Sequence, residues 1–262
     1  MLGWSSHWKR WREARTLERR AIPGPLWDLT LARFPFLHRR SAEDRQRLRE
    51  LATLFLAAKE FTGAQGLQVD DEMAVAIAAQ ACLPVLRLGL HWYDRFVGIV
   101  VHADVVVARR ETVDDDGIVH SYDEELSGEA MDGGPVMLSW TDVSASSESA
   151  HAGYNVVIHE FAHVMDMRDG EADGVPPLRD AAARDLWVAV IAAEYEAFCA
   201  QVDAGERTFL DPYGAEAVDE FFAVAAEAFF VAPLDLRARH AALYDLLAGF
   251  FEQDPAGELS PA

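Results

Sequence analysis

A chain of 262 residues, 51% apolar and with a formal net charge of −21, can bury a sizeable core, which excludes an intrinsically disordered polypeptide. No run approaches the roughly 18 consecutive apolar residues of a membrane span, and the start M-L-G-W-S-S-H-W-K-R-W-R lacks the apolar stretch of a secretory signal, so a cytoplasmic location is expected. Cys82 and Cys199 lie far apart and outside any C-x-x-C pair, which excludes a disulfide framework and a cysteine-rich metal knuckle and leaves His and carboxylate to hold any metal.

The charge is uneven along the chain. Residues 1–50 hold 12 Lys/Arg against 6 Asp/Glu, leaving 11 against 38 in the remainder, so a basic arm precedes a strongly acidic body that repels nucleic acid. Residues 1–40, with Trp4, Trp8, Trp11, Pro23, Pro25 and Pro35, read as an irregular arm or short helix followed by a linker. At Ser41 the pattern changes. Ser41 with Asp44 makes a capping-box-like start, and Leu48, Leu51, Leu54, Phe55 and Ala58 recur at helical spacing to about Phe61. A second helix is expected from Asp70 to about Leu83, then one or two strands within Val97 to Ala108, where β-branched residues dominate. The acidic stretch Thr112 to Asp132 reads as a loop with a short strand near Gly117 to Tyr122. Pro135 to Trp140 reads as a strand, closed by the Ser-rich stretch 144–149. Helices return over Asn155 to Met167, Arg179 to Ala204, Ala215 to Val231 and Arg237 to Glu252, punctuated by G-E-A-D-G-V-P-P at 170–177, D-P-Y-G at 211–214 and Pro233. The predicted class is therefore α+β, mostly helical with a small central β-sheet. Its organisation is read as an arm and linker over 1–40, a folded domain over 41–255 and a tail over 256–262.

Chemistry concentrates in N-V-V-I-H-E-F-A-H at 155–163. On a helix, i and i+4 share a face, so His159 and His163 can offer two imidazole nitrogens to one ion, with Glu160 at the edge of that site as the general base. Zinc in such a site acidifies water to a pKa of about 7 and polarises the carbonyl under attack. The apolar surroundings argue against a solvated Glu160–His163 pair, because unpartnered polar groups in a buried helix are costly. A catalytic zinc takes a third protein ligand, and the extension G-x-x-H after H-E-x-x-H-x-x is absent, since Asp166 and Asp169 stand where that pattern puts Gly and His. Along 216–230, Glu216, Glu220 and Glu227 share a stripe, and Glu227, among alanines and phenylalanines, reads as buried and in need of a partner. Glu220, about 10 Å away along the helix axis, is then expected behind the ligands. Asp211 competes for the third position.

With G-P-V-M-L-S-W at 134–140, D-P-Y-G-A-E at 211–216 and D-E-F-F-A-V-A-A-E-A-F-F at 219–230, the motif region resembles the MtfA (Mlc titration factor A) family of bacterial zinc-dependent peptidases, over about Pro35 to Pro255. The resemblance implies a gluzincin-like, zincin-type domain with one Zn2+ on His159, His163 and Glu227 and with Glu160 as base. It also implies a cytosolic, aminopeptidase-like activity on small peptides and, in some members, binding to a transcriptional repressor of sugar uptake. The alternatives are a regulatory protein that titrates such a repressor, with peptidase activity secondary, and a structural metal site with four protein ligands.

Several further positions have both a plain and a functional reading. The strand at 135–140 is read either as an ordinary strand or as the edge to which a peptide substrate adds. Tyr213 is a turn tyrosine or the donor to the oxyanion, and we carry it as catalytic. Asp166 is a surface acid or the acceptor that orients a ligand imidazole. The loop 168–178 either rims the cleft or merely connects. His91, His102, His120 and His151 read as structural or exposed.

Overall fold

The computed structural model describes residues 3–113, 119–149 and 153–259, and several of its helices begin where short polar side chains replace missing backbone acceptors. In chain order the helices are α1 (Gly3–Arg20), α2 (Gly24–Arg33), α3 (Pro35–His38) and α4 (Ala42–Ala58), then β1 (Glu60–Gly63) and α5 (Asp71–Cys82). Strands β2 (Gly98–His102), β3 (Val106–Val113), β4 (Val119–Leu126), β5 (Gly128–Ala130) and β6 (Val136–Ser139) follow. The chain ends with α6 (Trp140–Ser149), α7 (Val156–Asp166), α8 (Ala181–Asp203), α9 (Val218–Val231), α10 (Pro233–Arg239), α11 (Ala241–Phe251) and α12 (Pro255–Leu259). Ser41, Asp70, Asn155 and Asp180 accept from the backbone N–H three residues on, at 3.0, 2.9, 2.9 and 2.8 Å, and so start α4, α5, α7 and α8. Among the described residues no helix is long and apolar enough to cross a membrane.

The α+β class holds. A four-stranded sheet runs in the order β1-β2-β6-β5, parallel except for the β5–β6 pair, and β3 and β4 form a separate antiparallel hairpin. Helices α4, α5, α7, α9 and α11 gather around one apolar core. Phe161 on the back of α7 meets Tyr93 with ring centroids 4.9 Å apart and Phe55 at 5.7 Å, an edge-on cluster that fixes how α7 rotates about its axis. Nearly all of α9, from Phe221 to Val231, is buried. The two helices that carry the motif and its nearby carboxylates therefore pack directly on each other.

Five expectations about elements are corrected. Of the two readings before Ser41, a helix does form at the start, but the expected linker is itself helical, because Pro23, Pro25 and Pro35 sit at helix starts, where a missing N–H costs nothing. From Ile22 onward it joins the core through Trp27, Leu31, Phe34, Phe36 and Leu37. The acidic stretch after Thr112 contains β4 and β5 rather than one short strand. The part of that expected strand at residues 117 and 118, like His151, lies outside the described residues. The Ser-rich stretch is the end of α6, a helix capped by Ser139, whose Oγ accepts from the Asp142 N–H at 3.3 Å, and anchored by buried Val143. The strand at 135–140 is not an edge, since β6 lies between β2 and β5; the edge beside the motif is β5. The last predicted helix is two, α10 and α11, parted at His240.

Candidate metal centre

Asn155 sets the start of α7, after which the apolar residues Val157, Ile158, Phe161, Ala162 and Met165 turn into the core and His159, Glu160 and His163 turn towards α9 and β5. Across from them, Glu220 and Glu227 stand seven residues apart on α9, two turns of one face. They bracket a single imidazole. His159 Nδ1 is 2.7 Å from Glu227 Oε1, and His159 Nε2 is 3.0 Å from Glu220 Oε2.

His163 Nε2 lies 3.2 Å from His159 Nε2 and 3.4 Å from Glu220 Oε2. His159, His163 and Glu220 thus bring three ligand-type atoms within 4.8 Å of one another, the one such group of metal-ligating side chains among the described residues. With the Nδ1–H of His159 donated to Glu227, a neutral His159 turns its lone pair into this convergence, where a carboxylate oxygen and a second imidazole already sit. Acceptors cannot satisfy one another without an added proton, and a divalent cation satisfies all three at once. Two imidazole nitrogens and a carboxylate oxygen are the ligand types that Zn2+ takes in catalytic sites, so the residues present fit such an ion. The sequence expectation put Glu227 among the ligands and Glu220 behind them; the observed contacts put Glu220 at the convergence and Glu227 on the far nitrogen of His159.

Glu160 is buried and faces β5 from the side of the convergence. A β-carbon added at Gly128 would overlap its carboxylate, so glycine in the edge strand is what lets Glu160 keep this position. The two line a cleft of about 200 Å³ with Ser127, Tyr154, His159, Tyr213 and Glu227. A larger cavity of about 790 Å³ lies elsewhere, between α1 and α4. Burial pushes Glu160 up to about 7, against the opposing pull of His159 and His163. Burial works against a charged His159, yet Glu220 and Glu227 outweigh it and hold the ring well above its ordinary pKa. The same contacts with His159 and His163 overcome burial at Glu220 and depress it strongly, whereas at Glu227 burial prevails and raises it. In the metal-free site, then, the buried carboxylate facing the cleft is poised near neutrality and the one at the convergence is firmly anionic.

Tyr213 stands at the mouth of this cleft, its ring centroid 6.1 Å from that of His159. Asp211, the rival third ligand, caps the turn Pro212–Ala215 by accepting from the Tyr213 N–H at 3.0 Å. Asp166 is not a surface acid but fully buried, and accepts from the Gly174 N–H at 2.8 Å. The Gly174 carbonyl in turn accepts from Trp187 Nε1 at 2.8 Å, and its φ of +74° is one that a side chain tolerates poorly. The loop 168–178 is tied to the end of α7 by these bonds. Sequence reasoning missed Gly128, Ser127 and Tyr154, since nothing local marks a glycine selected by a distant carboxylate. It quoted Asn155 without its role, although an asparagine directly before an apolar helical run is a cap signal.

The glucose-regulated metallo-peptidase M90 family model matches residues 8–252. An uncharacterized protein of Synechocystis sp. is 37% identical over 251 residues, 95% of this chain and 90% of that protein. Mlc titration factor A of Salmonella arizonae is 38% identical over 239 residues, 89% of this chain and 93% of its own. Mlc titration factor A of Enterobacter sp. is 35% identical over 254 residues, 95% and 92% of the two chains.

Proposed function

Because the chain belongs to the glucose-regulated metallo-peptidase M90 family, we propose that it is a zinc-dependent, aminopeptidase-like hydrolase of short peptides. The observation that carries this reading is the convergence of His159, His163 and Glu220 beside the buried carboxylate of Glu160. We assign the ion to His159 Nε2, His163 Nε2 and Glu220, and give Glu227 the task of holding His159 by its Nδ1–H. A zinc ion there supplies Lewis acidity, which lowers the pKa of water and polarises the scissile carbonyl. Glu160 takes the proton from the attacking water and returns it to the leaving amine, the part its buried position beside the convergence suits it for. Tyr213, at the cleft mouth, would donate to the oxygen that becomes negative in the tetrahedral state. The small cleft favours a short peptide over a folded protein segment. A cytoplasmic location belongs to the same reading and suits the two free thiols. The relatives' name speaks of titrating Mlc, and on that ground a repressor-type protein is proposed as a partner beside the peptide substrate.

The test is hydrolysis of short peptides, with free and blocked amino termini, by wild type and Glu160→Gln, with bound zinc measured on both. The expected result is full zinc in both and activity about 10²- to 10⁴-fold lower in the variant. Full activity in the zinc-loaded variant would overturn Glu160 as the base. The ligand assignment has its own outcome: Glu220→Gln loses the metal at concentrations where Glu227→Gln, weakened about 10- to 100-fold, still binds it. The reverse order would restore Glu227 as the third ligand.

A further inference from the structure

A chain of buried hydrogen bonds leaves the metal centre on its inner side and ends in a different helix. His159 Nδ1 donates to Glu227 Oε1 at 2.7 Å, and Glu227 Oε2 accepts from the backbone N–H of Asn155. The Asn155 side chain accepts from the Ile158 N–H at 2.9 Å and donates through Nδ2 to Gln80 Oε1 at 2.7 Å. Gln80 sits on α5 and is fully buried, as is Asn155, and its Nε2 donates to the Ala76 carbonyl at 3.1 Å. We propose that Gln80 is a positioning residue for the metal centre. Through Asn155 it fixes the start of α7 and the carboxylate that holds His159. The proposal rests on the reading that His159 is a metal ligand.

The direction of the bonds carries the argument. Gln80 spends an N–H on the helix carbonyl of Ala76, so its oxygen must face Asn155. Asn155 must then turn its NH2 group to Gln80, which leaves its oxygen for the Ile158 N–H. Flipping either amide would set donor against donor or oxygen against oxygen between two fully buried side chains. With the Asn155 side chain locked, its backbone N–H points at Glu227 and α7 starts in one register. A glutamine that only filled space on α5 would need none of this, and nothing apolar can replace its oxygen.

Two substitutions separate positioning from packing. Gln80→Met keeps the volume and removes the acceptor; Asn155→Ser keeps a helix cap and removes the amide donor. Zinc affinity is measured by competition with a chromophoric chelator, alongside thermal unfolding of the metal-free proteins. Each single variant is expected to bind zinc about 10-fold more weakly, and the double variant no more weakly than Asn155→Ser alone, because Gln80 acts through Asn155. In the metal-free protein the ¹⁵N resonances of the His159 ring are expected to shift in Gln80→Met. Unchanged zinc affinity and ring resonances in Gln80→Met, or additive losses in the double variant, would overturn the positioning role even if the melting temperature fell. A wild type that binds no zinc, or binds it equally well after His159→Ala, would overturn the metal-site reading and this inference with it.

Discussion

Gly128 and Glu160 illustrate how much of this site depends on single atoms. The edge strand passes so close to the Glu160 carboxylate that a methyl group at Gly128 has no room. Gly128→Ala is expected to displace Glu160, the proposed base, and lower kcat by about tenfold or more while zinc binding persists, since a misplacement of about 1 Å in a reacting group can cost up to about 10²-fold. Parallel loss of metal and activity would instead show that β5 supports the ligands. Asp166 has a pH signature of its own. Burial raises it to about 7 against the Gly174 hydrogen bond, whereas an unfolded aspartate titrates near 3.9. Between about pH 4 and 7 the folded state therefore holds a proton that the unfolded state has lost, and stability falls as pH rises through that window. Asp166→Asn is expected to remove this slope in urea titrations at several pH values; an unchanged slope would assign it to another group.

At the scale of elements, the legibility of the sequence followed the strength of local signals. α7 was readable to within a residue at each end because an apolar run of helical period is set off by Gly153 before it and by the breaker stretch from Gly170 after it, even with the capping role of Asn155 unread. α4 was readable through its Ser41–Asp44 start and α5 through its apolar run ending before Pro84, while the cap at Asp70 emerged only in the structure. β4 and β5 were not, because an acidic stretch without clean alternation carries little strand signal, and α6 was hidden by serines that read as a breaker. The prolines before residue 40 suggested a linker, yet they start helices whose apolar faces enter the core. This has a measurable consequence. A variant beginning at Ile22 should fold, since most of α1 is exposed. One beginning at Ser41 loses Trp27, Leu31, Phe34, Phe36 and Leu37 from the core and should be several kcal/mol less stable or insoluble, at about 1.5–3 kcal/mol for each large apolar side chain. Equal denaturant midpoints for the two truncations would show that the first 40 residues are a dispensable arm.

On the scale of the whole molecule, the architecture brings a central motif helix, a late carboxylate helix and a short edge strand to one cleft. The motif was legible because its chemistry is local to one helical face. The order of Glu220 and Glu227 around His159 was not, since two glutamates on one stripe are equivalent until α9 is placed against α7. Gln80 was out of reach for the same reason, 75 residues from its partner Asn155. Chelation should bear on the whole assembly. Removing the metal is expected to abolish hydrolysis and to lower the melting temperature without unfolding the chain, because the apolar core stands independently of the site, and added zinc should restore both. A chain that unfolds on chelation and never hydrolyses would point instead to a structural ion. The most direct measurement is anomalous scattering at the zinc edge from crystals of the zinc-loaded protein. The account predicts one peak among His159 Nε2, His163 Nε2 and the Glu220 carboxylate, with Glu227 still on His159 Nδ1. A peak coordinated by Glu227 in place of Glu220, or no peak between the two histidines, would contradict it.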